Sequence, residues 1–390
     1  MAYITRIKID ACRNVRQLDI DLSVPPPESG PNGTPSTQRP GFRHLILTGP
    51  NGSGKSGVLE AIAQEIAGLA ATPVQLSLFD FGQQQIEWTR DTSALRDELA
   101  SGDAVSVYLK ARRTIRLRSV RGPTKRLHVS EGARAGELGQ FLVNKHVEMA
   151  YAIVKGDRHA VDRIQSWFAA FEGNLRKLME DDALALEFDS SSYNFRIKKS
   201  DGYVFDLRTL ADGHAAVVAI LAELLIRIDG IQQDRHDFTF EPQGVVIIDE
   251  VETHLHLSLQ EQILPFLTEL FPRLQFLVAT HSPAVIASIP NAIVYDLRKR
   301  EAALSDHYRG LRYGTLMTEH FGISSEIDLD STEKLLRVRH LAALSSRTAE
   351  EELQLQDLTA VLTSRSPVLA VELWMITRRP GAPHSGAAAE

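Results

Sequence analysis

With 390 residues, 43% of them hydrophobic and 24% charged, the chain has ordinary globular composition and length for one large domain or two modest ones. Its net charge of −7 excludes a polycation that coats nucleic acid. Its single cysteine, Cys12, excludes an internal disulfide or a cysteine-built metal site, and no run reaches the roughly 18 uninterrupted apolar residues of a membrane span.

The opening Met1–Asp10 lacks the apolar centre of a signal peptide, so cytoplasmic residence with no membrane partner is expected. Residues 3–23 alternate apolar and polar twice, Ile4-Arg6-Ile7-Lys8-Ile9 and Leu18-Asp19-Ile20-Asp21-Leu22, which predicts two strands around Arg13-Asn14-Val15. Proline and glycine at 24–41 make a loop. The compact apolar run His44–Thr48 reads as a strand and about 54–70 as a helix. Gln83-Gln84-Gln85 reads as loop, and Ala104–Leu109 as a strand.

Lys110, Arg112, Arg113, Arg116, Arg118, Arg121, Lys125 and Arg126 follow with no acid among them. That run suits a phosphate backbone and makes DNA a candidate partner, although such runs also occur as solvated rims. A helical pattern from Glu137 stops at Gly156-Asp157, a C-cap glycine followed by an N-cap acid. Beyond it Val161, Ile164, Phe168, Phe171, Leu175 and Leu178 recur at three-four spacing, an amphipathic helix whose aromatic stripe is core packing.

Short strands are predicted at 184–188, 193–197 and 203–207. A long apolar helix follows from Gly213 to Ile228, then a polar loop at 230–242. Gly244–Asp249, Leu274–Thr280 and Ala292–Leu297 are buried strands around a helix at 257–270, and from about 325 the chain reads as helices. Strands alternating with helices predict a parallel sheet covered on both faces. The organisation expected is an N-terminal lobe at 1–70, an insertion with a helical arm and strands at 71–207, and a C-terminal lobe at 208–300. A helical region at 301–380 and a disordered tail at 381–390 complete it.

Three segments carry chemistry. Gly49-Pro50-Asn51-Gly52-Ser53-Gly54-Lys55-Ser56 matches G-x-x-x-x-G-K-[ST] between an apolar strand and a helix. Glycines let backbone N–H groups curl around phosphates, and the helix N-terminus adds positive potential. Lys55 would reach the β- and γ-phosphates of ATP, and the Ser56 hydroxyl would hold Mg2+. Val245-Val246-Ile247-Ile248 delivers Asp249 and Glu250 at a strand end, Asp249 for Mg2+ and Glu250 to polarise water as general base. Thr280-His281-Ser282-Pro283 ends another buried strand, where His281 can meet the γ-phosphate or the attacking water. Taken alone, the imidazole would read as a cap of the next helix.

These segments, with Ile4-Thr5-Arg6-Ile7-Lys8-Ile9 and Arg13-Asn14-Val15, resemble the ATPase heads of the SMC, RecF and OLD-like proteins over about residues 3–300. The resemblance implies an α/β P-loop NTPase with an ABC-type mixed sheet covered by helices, a helical insertion and a helical C-terminal region. It also implies a homodimer or higher homo-oligomer formed on ATP, with Asn14 beside the nucleotide. Each composite site would borrow a signature segment from the partner copy. Here that segment is Leu210-Ala211-Asp212-Gly213, with Ala211 where the family has a serine, so the resemblance implies slow hydrolysis.

A short head without an enzyme domain further resembles the stand-alone ATPases of prokaryotic anti-phage systems such as Septu, PARIS and retron-linked modules. Those work with a separate nuclease or toxin. A RecF-like repair ATPase that clamps DNA is the alternative. Asp328-Leu329-Asp330 reads as an acidic helix start rather than a Toprim metal site.

Overall fold

The computed structural model describes residues 3–23, 41–69, 84–89, 92–101, 103–111, 120–124, 134–235, 237, 240–320, 327–344 and 346–377. The 24–40 part of the expected loop, most of the basic run and the tail at 381–390 lie outside them. The elements form two units, Met1–Leu311 and Arg312–Glu390.

In the first unit, alternate inward apolar side chains make strands of Ile4–Cys12 (β1) and Val15–Asp21 (β2). There follow β3 (His44–Thr48), α1 (Lys55–Leu69), β4 (Gln84–Trp88), α2 (Thr92–Ala100), β5 (Ala104–Leu109), α3 (Leu138–Lys155) and α4 (Arg158–Met179). Next come β6 (Ala185–Asp189), β7 (Asn194–Lys198), β8 (Val204–Asp206), α5 (Asp212–Arg235), β9 (Gln243–Ile248) and α6 (Leu257–Leu270). β10 (Leu274–Ala279), α7 (Pro283–Ile286), β11 (Ala292–Asp296) and β12 (Glu301–Leu304) complete the unit.

The main sheet has six strands in the order β12-β11-β3-β10-β9-β5. β5, β9, β10, β3 and β11 run parallel and β12 antiparallel, which is the mixed α/β sheet that the resemblance implies. Its central strands are apolar at nearly every position because the sheet is buried, one face of it under α1 and a second sheet. A second sheet, β2-β1-β4, packs its buried residues Ile7, Ile9, Leu18 and Ile20 with Leu45, Leu47, Val58 and Ile62. Gln275, wholly buried on β10, joins the two sheets. Its amide donates to the Ile4 and Arg43 carbonyls and accepts from the Ile4 N–H. A third sheet, β6-β7-β8, adjoins α3 and α4 through the ring contacts Phe168–Phe195 and His146–Phe188.

Three expectations are corrected. Gln84 and Gln85 are not loop but open β4, which pairs antiparallel with β1 and places Ile86 opposite Ile7. A strand that buries Ile86 and leaves Gln85 exposed gives too short an alternation to recognise. The loop expected from residue 230 is helical to Arg235, because tertiary contacts hold its polar end. Gln233 donates to Asp229, Gln232 to the Phe240 carbonyl, and Arg235 pairs with Asp103. Residues 301–304, placed with the helical region, form β12 against β11.

The second unit holds α8 (Tyr313–Thr315), α9 (Leu329–Ala343), α10 (Ala349–Arg365) and α11 (Pro367–Thr377). Leu335, Val338, Leu341, Leu355, Leu362, Leu369 and Leu373 form its own core. Asp328 caps α9 by accepting from the Ser331 N–H, while Asp330 pairs with Lys334 and Arg365. Among the described residues no helix is long and apolar enough to cross a membrane.

Candidate functional site

Strand order builds the site. β10 lies between β3 and β9, and all three are parallel, so their C-terminal ends deliver residues 49–56, 280–282 and 249–252 to one sheet edge. Ligands of open α/β sheets bind at such an edge. Thr280 donates its N–H to the Leu47 carbonyl, and Val251 donates to Ala279, which ties the three loops at their roots.

The phosphate loop runs from Gly49 through Ser56. Gly49, Gly52 and Gly54 all take positive φ, which a side chain would make costly. A Cβ on Gly54 would stand 2.4 Å from Val15 Cγ2 and 2.9 Å from Asn14 Oδ1. The β1–β2 tip therefore supports the loop from beneath, and the Asn14 amide donates to the Gly52 carbonyl. Arg13 in the same tip pairs with Glu60 of α1. Lys55, the buried first residue of α1, donates to the Gly49 carbonyl at 2.9 Å and the Pro50 carbonyl at 3.2 Å. Burial lowers its pKa, while the charges of Glu252, Asp249, Glu250 and Asp296 oppose that shift.

Asp249 is buried at the end of β9. Burial raises its pKa, the Ser56 hydroxyl bond lowers it, and the nearby charges of Glu250 and Glu60 raise it. A hydroxyl beside a buried carboxylate, with Glu250 and Glu60 nearby and Lys55 opposing them, is a hard-oxygen donor set that fits Mg2+. Glu250 follows at φ 45, a left-handed backbone that costs a non-glycine residue about 1 kcal/mol. Its Oε2 accepts from the Thr253 hydroxyl at 3.1 Å. His281 follows β10 and Thr280. Burial pulls its pKa below 6.5, helped by Lys55 and opposed by Glu250, so both partners lie within electrostatic reach.

The model of the family described as "AAA domain, putative AbiEii toxin, Type IV TA system" matches residues 93–287, half of the chain. The chain belongs to this AAA-domain family. The match takes in Leu210–Gly213, Asp249, Glu250 and His281; the phosphate loop lies upstream of it. A retron Ec83 probable ATPase from Escherichia coli is 27% identical over 144 residues, 37% of this chain and 26% of the relative. Septu protein PtuA of Bacillus mycoides is 22% identical over 337 residues, 82% of this chain and 44% of the relative. The chain thus spans less than half the length of these two relatives. Among solved structures, an Smc head bound to the C-terminal winged-helix domain of ScpA aligns at TM-score 0.40 and 13% identity, covering 77% of this chain and 97% of that one.

In this AAA-domain head the signature-like segment opens α5. Ala215 donates its N–H to Ala211, and Ala211 and Asp212 are exposed. Gly213 is buried, and a Cβ there would lie 2.9 Å from the His254 carbonyl and 3.4 Å from Leu259 Cδ1. Its lack of a side chain lets α5 pack on the turn that follows Glu250 in the same chain. That turn carries a second positive φ, 67, at His254.

Of the basic run, Arg112, Arg113, Arg116 and Arg118 lie outside the described residues, and Arg121 falls in a short described stretch at 120–124. From the sequence, Glu252 falls in the Asp249–His256 segment that resembles a Walker B and D-loop, near His254 and His256, and is expected at a dimer interface rather than in a metal site. It lies two residues beyond Glu250, and its Oε1 accepts from the His281 N–H at 2.5 Å. An acid within an apolar-rooted turn was the available signal, but only the fold shows that its carboxylate turns inward.

Proposed function

We propose that this chain is an ATP-binding and ATP-hydrolysing subunit of an anti-phage defence system that controls a separate effector, a nuclease or toxin. The convergence of Lys55, the Ser56–Asp249 pair, Glu250 and His281 at one sheet edge carries the ATPase part of this reading. Similarity to retron and Septu proteins supports the defence setting.

Backbone N–H groups of residues 49–54 and the α1 N-terminus cradle the phosphates, with Lys55 on the β- and γ-groups. Ser56 and Asp249 would hold Mg2+, which neutralises phosphate charge. Glu250 takes the proton of the attacking water, and His281 senses the γ-phosphate. The exposed Ala211 and Asp212 at the start of α5 face a second copy, and Gly213 couples them to the turn after Glu250. Opening and closing of that pair sets whether the effector is held or released.

Glu250→Gln tests the chemistry. Turnover should fall by roughly 10²- to 10⁴-fold, the usual worth of a general base, while ATP binding persists. Light scattering of this variant should show an ATP-dependent rise in mass above the 43.2 kDa chain. Equal turnover in both proteins would remove Glu250 from the mechanism, and ATP-independent mass would remove the nucleotide-driven pairing.

A further inference from the structure

We propose that Glu252 is a positioning residue that fixes the His281 loop against the turn following Glu250. This deepens the ATPase reading and rests on it for its catalytic consequence. The buried Glu252 carboxylate accepts the His281 N–H on Oε1 at 2.5 Å. An ionised carboxylate as acceptor makes this a charge-assisted bond, stronger than one between neutral groups. A glutamine keeps an acceptor oxygen for the His281 N–H but loses the charge.

The geometry explains why this tie matters. Glu250 and Glu252 sit on one short turn, Glu250 held by Thr253 and Glu252 by the loop of β10. The Val251 N–H bond to Ala279 fixes the turn between them. The group proposed to activate water and the group proposed to sense phosphate are therefore joined through one side chain. Thr280 is wholly buried and its hydroxyl accepts from the Ser282 N–H, which ties the residues on either side of His281. Glu252 also lies within electrostatic reach of Lys55. It touches no reacting atom in this role and acts through His281.

The test uses the full chain and compares Glu252→Ala, Glu252→Gln and wild type. Hydrogen exchange of the His281 amide, without nucleotide, should quicken about tenfold or more in Glu252→Ala and less in Glu252→Gln, the scale of one charge-assisted hydrogen bond. With ATP, kcat should fall roughly tenfold in the alanine variant while the ATP Kd stays within about twofold, and glutamine should recover part of the loss. Added to His281→Ala, the alanine change should cost nothing further, because coupled groups are not additive. Unchanged amide exchange, or an additive loss with His281→Ala, overturns the proposal. If wild type turns over no ATP but the amide result holds, the positioning role stands and the hydrolase reading falls. Should the alanine variant not fold, Glu252→Asp serves, since it keeps the charge and shortens the reach.

Discussion

The nucleotide-facing sheet edge and the α3–α4 arm obey opposite rules. At the edge, Gly49, Gly52, Gly54, Glu250 and His254 all hold positive φ, and Lys55 and Asp249 are charged groups taken out of water. In the arm, two long helices follow local preference. Gly156 ends α3 at φ 73, and Asp157 starts α4 by accepting from the Ala160 N–H. Phe141, Trp167 and Phe171 then pack ring on ring. The edge gives up local stability to present reactive groups, and the arm spends its residues on packing. Substitutions should accordingly separate. Edge changes should cost turnover with the fold kept, and arm changes should cost stability with turnover kept.

The largest stability effect expected tests that division where the arm meets α5. Lys145 of α3 and Asp229 of α5 form an ion pair with both side chains buried, and Lys145 also lies over the Phe141 ring. Lys145→Ala leaves the Asp229 carboxylate buried and without its cation, at a cost of about 3–5 kcal/mol. The denaturation midpoint should drop accordingly. Lys145→Met combined with Asp229→Leu should restore most of it, because an apolar pair of similar volume needs no counter-charge. Because α5 begins within the Leu210–Gly213 segment, a fall in turnover with the midpoint unmoved would break the comparison and make the arm part of the switch.

A somewhat smaller effect belongs to the sheet interior. His44 opens β3, lies among Phe42 and Phe276, and accepts the Phe276 N–H at 3.0 Å on its Nδ1. Burial lowers its pKa to about 4 from 6.5. The folded state keeps the imidazole neutral while the unfolded chain protonates it. This contribution is therefore fully present above pH 6.5 and is lost as pH falls toward 4. The loss amounts to about 3 kcal/mol at most. Stability measured across that window should slope less steeply in His44→Gln. An unchanged slope would assign the acid sensitivity to other groups.

What the sequence made legible follows the same contrast. The α/β class, the arm helices and their caps, and the central strands each carry a local signal: an apolar run, a three-four stripe, or a glycine followed by an acid. The phosphate loop, Asp249, Glu250 and His281 stood out because each follows an apolar strand at a characteristic residue pattern. Strand order did not, since nothing in the chain states that β10 threads between β3 and β9. The inward turn of Glu252 and the packing of Gly213 on His254 depend on that order and were equally hidden. β4 and β12 escaped notice because edge strands of four or five residues bury too little to show a period.

The smallest effect is the most discriminating for the arm. Asp157→Ala removes one bond, from the Ala160 N–H at 3.1 Å, and should cost about 1 kcal/mol. Asp157→Asn keeps the acceptor and should recover most of that loss. Both variants sit at the arm tip, where Val154 and Tyr151 are also exposed. If the tip only terminates helices, melting temperature should follow cap strength from Asp through Asn to Ala, and ATP turnover should stay level. A variant that changes turnover while its melting temperature obeys that order would show the tip acting on the sheet edge. Local preference would then no longer account for why this arm is built as it is.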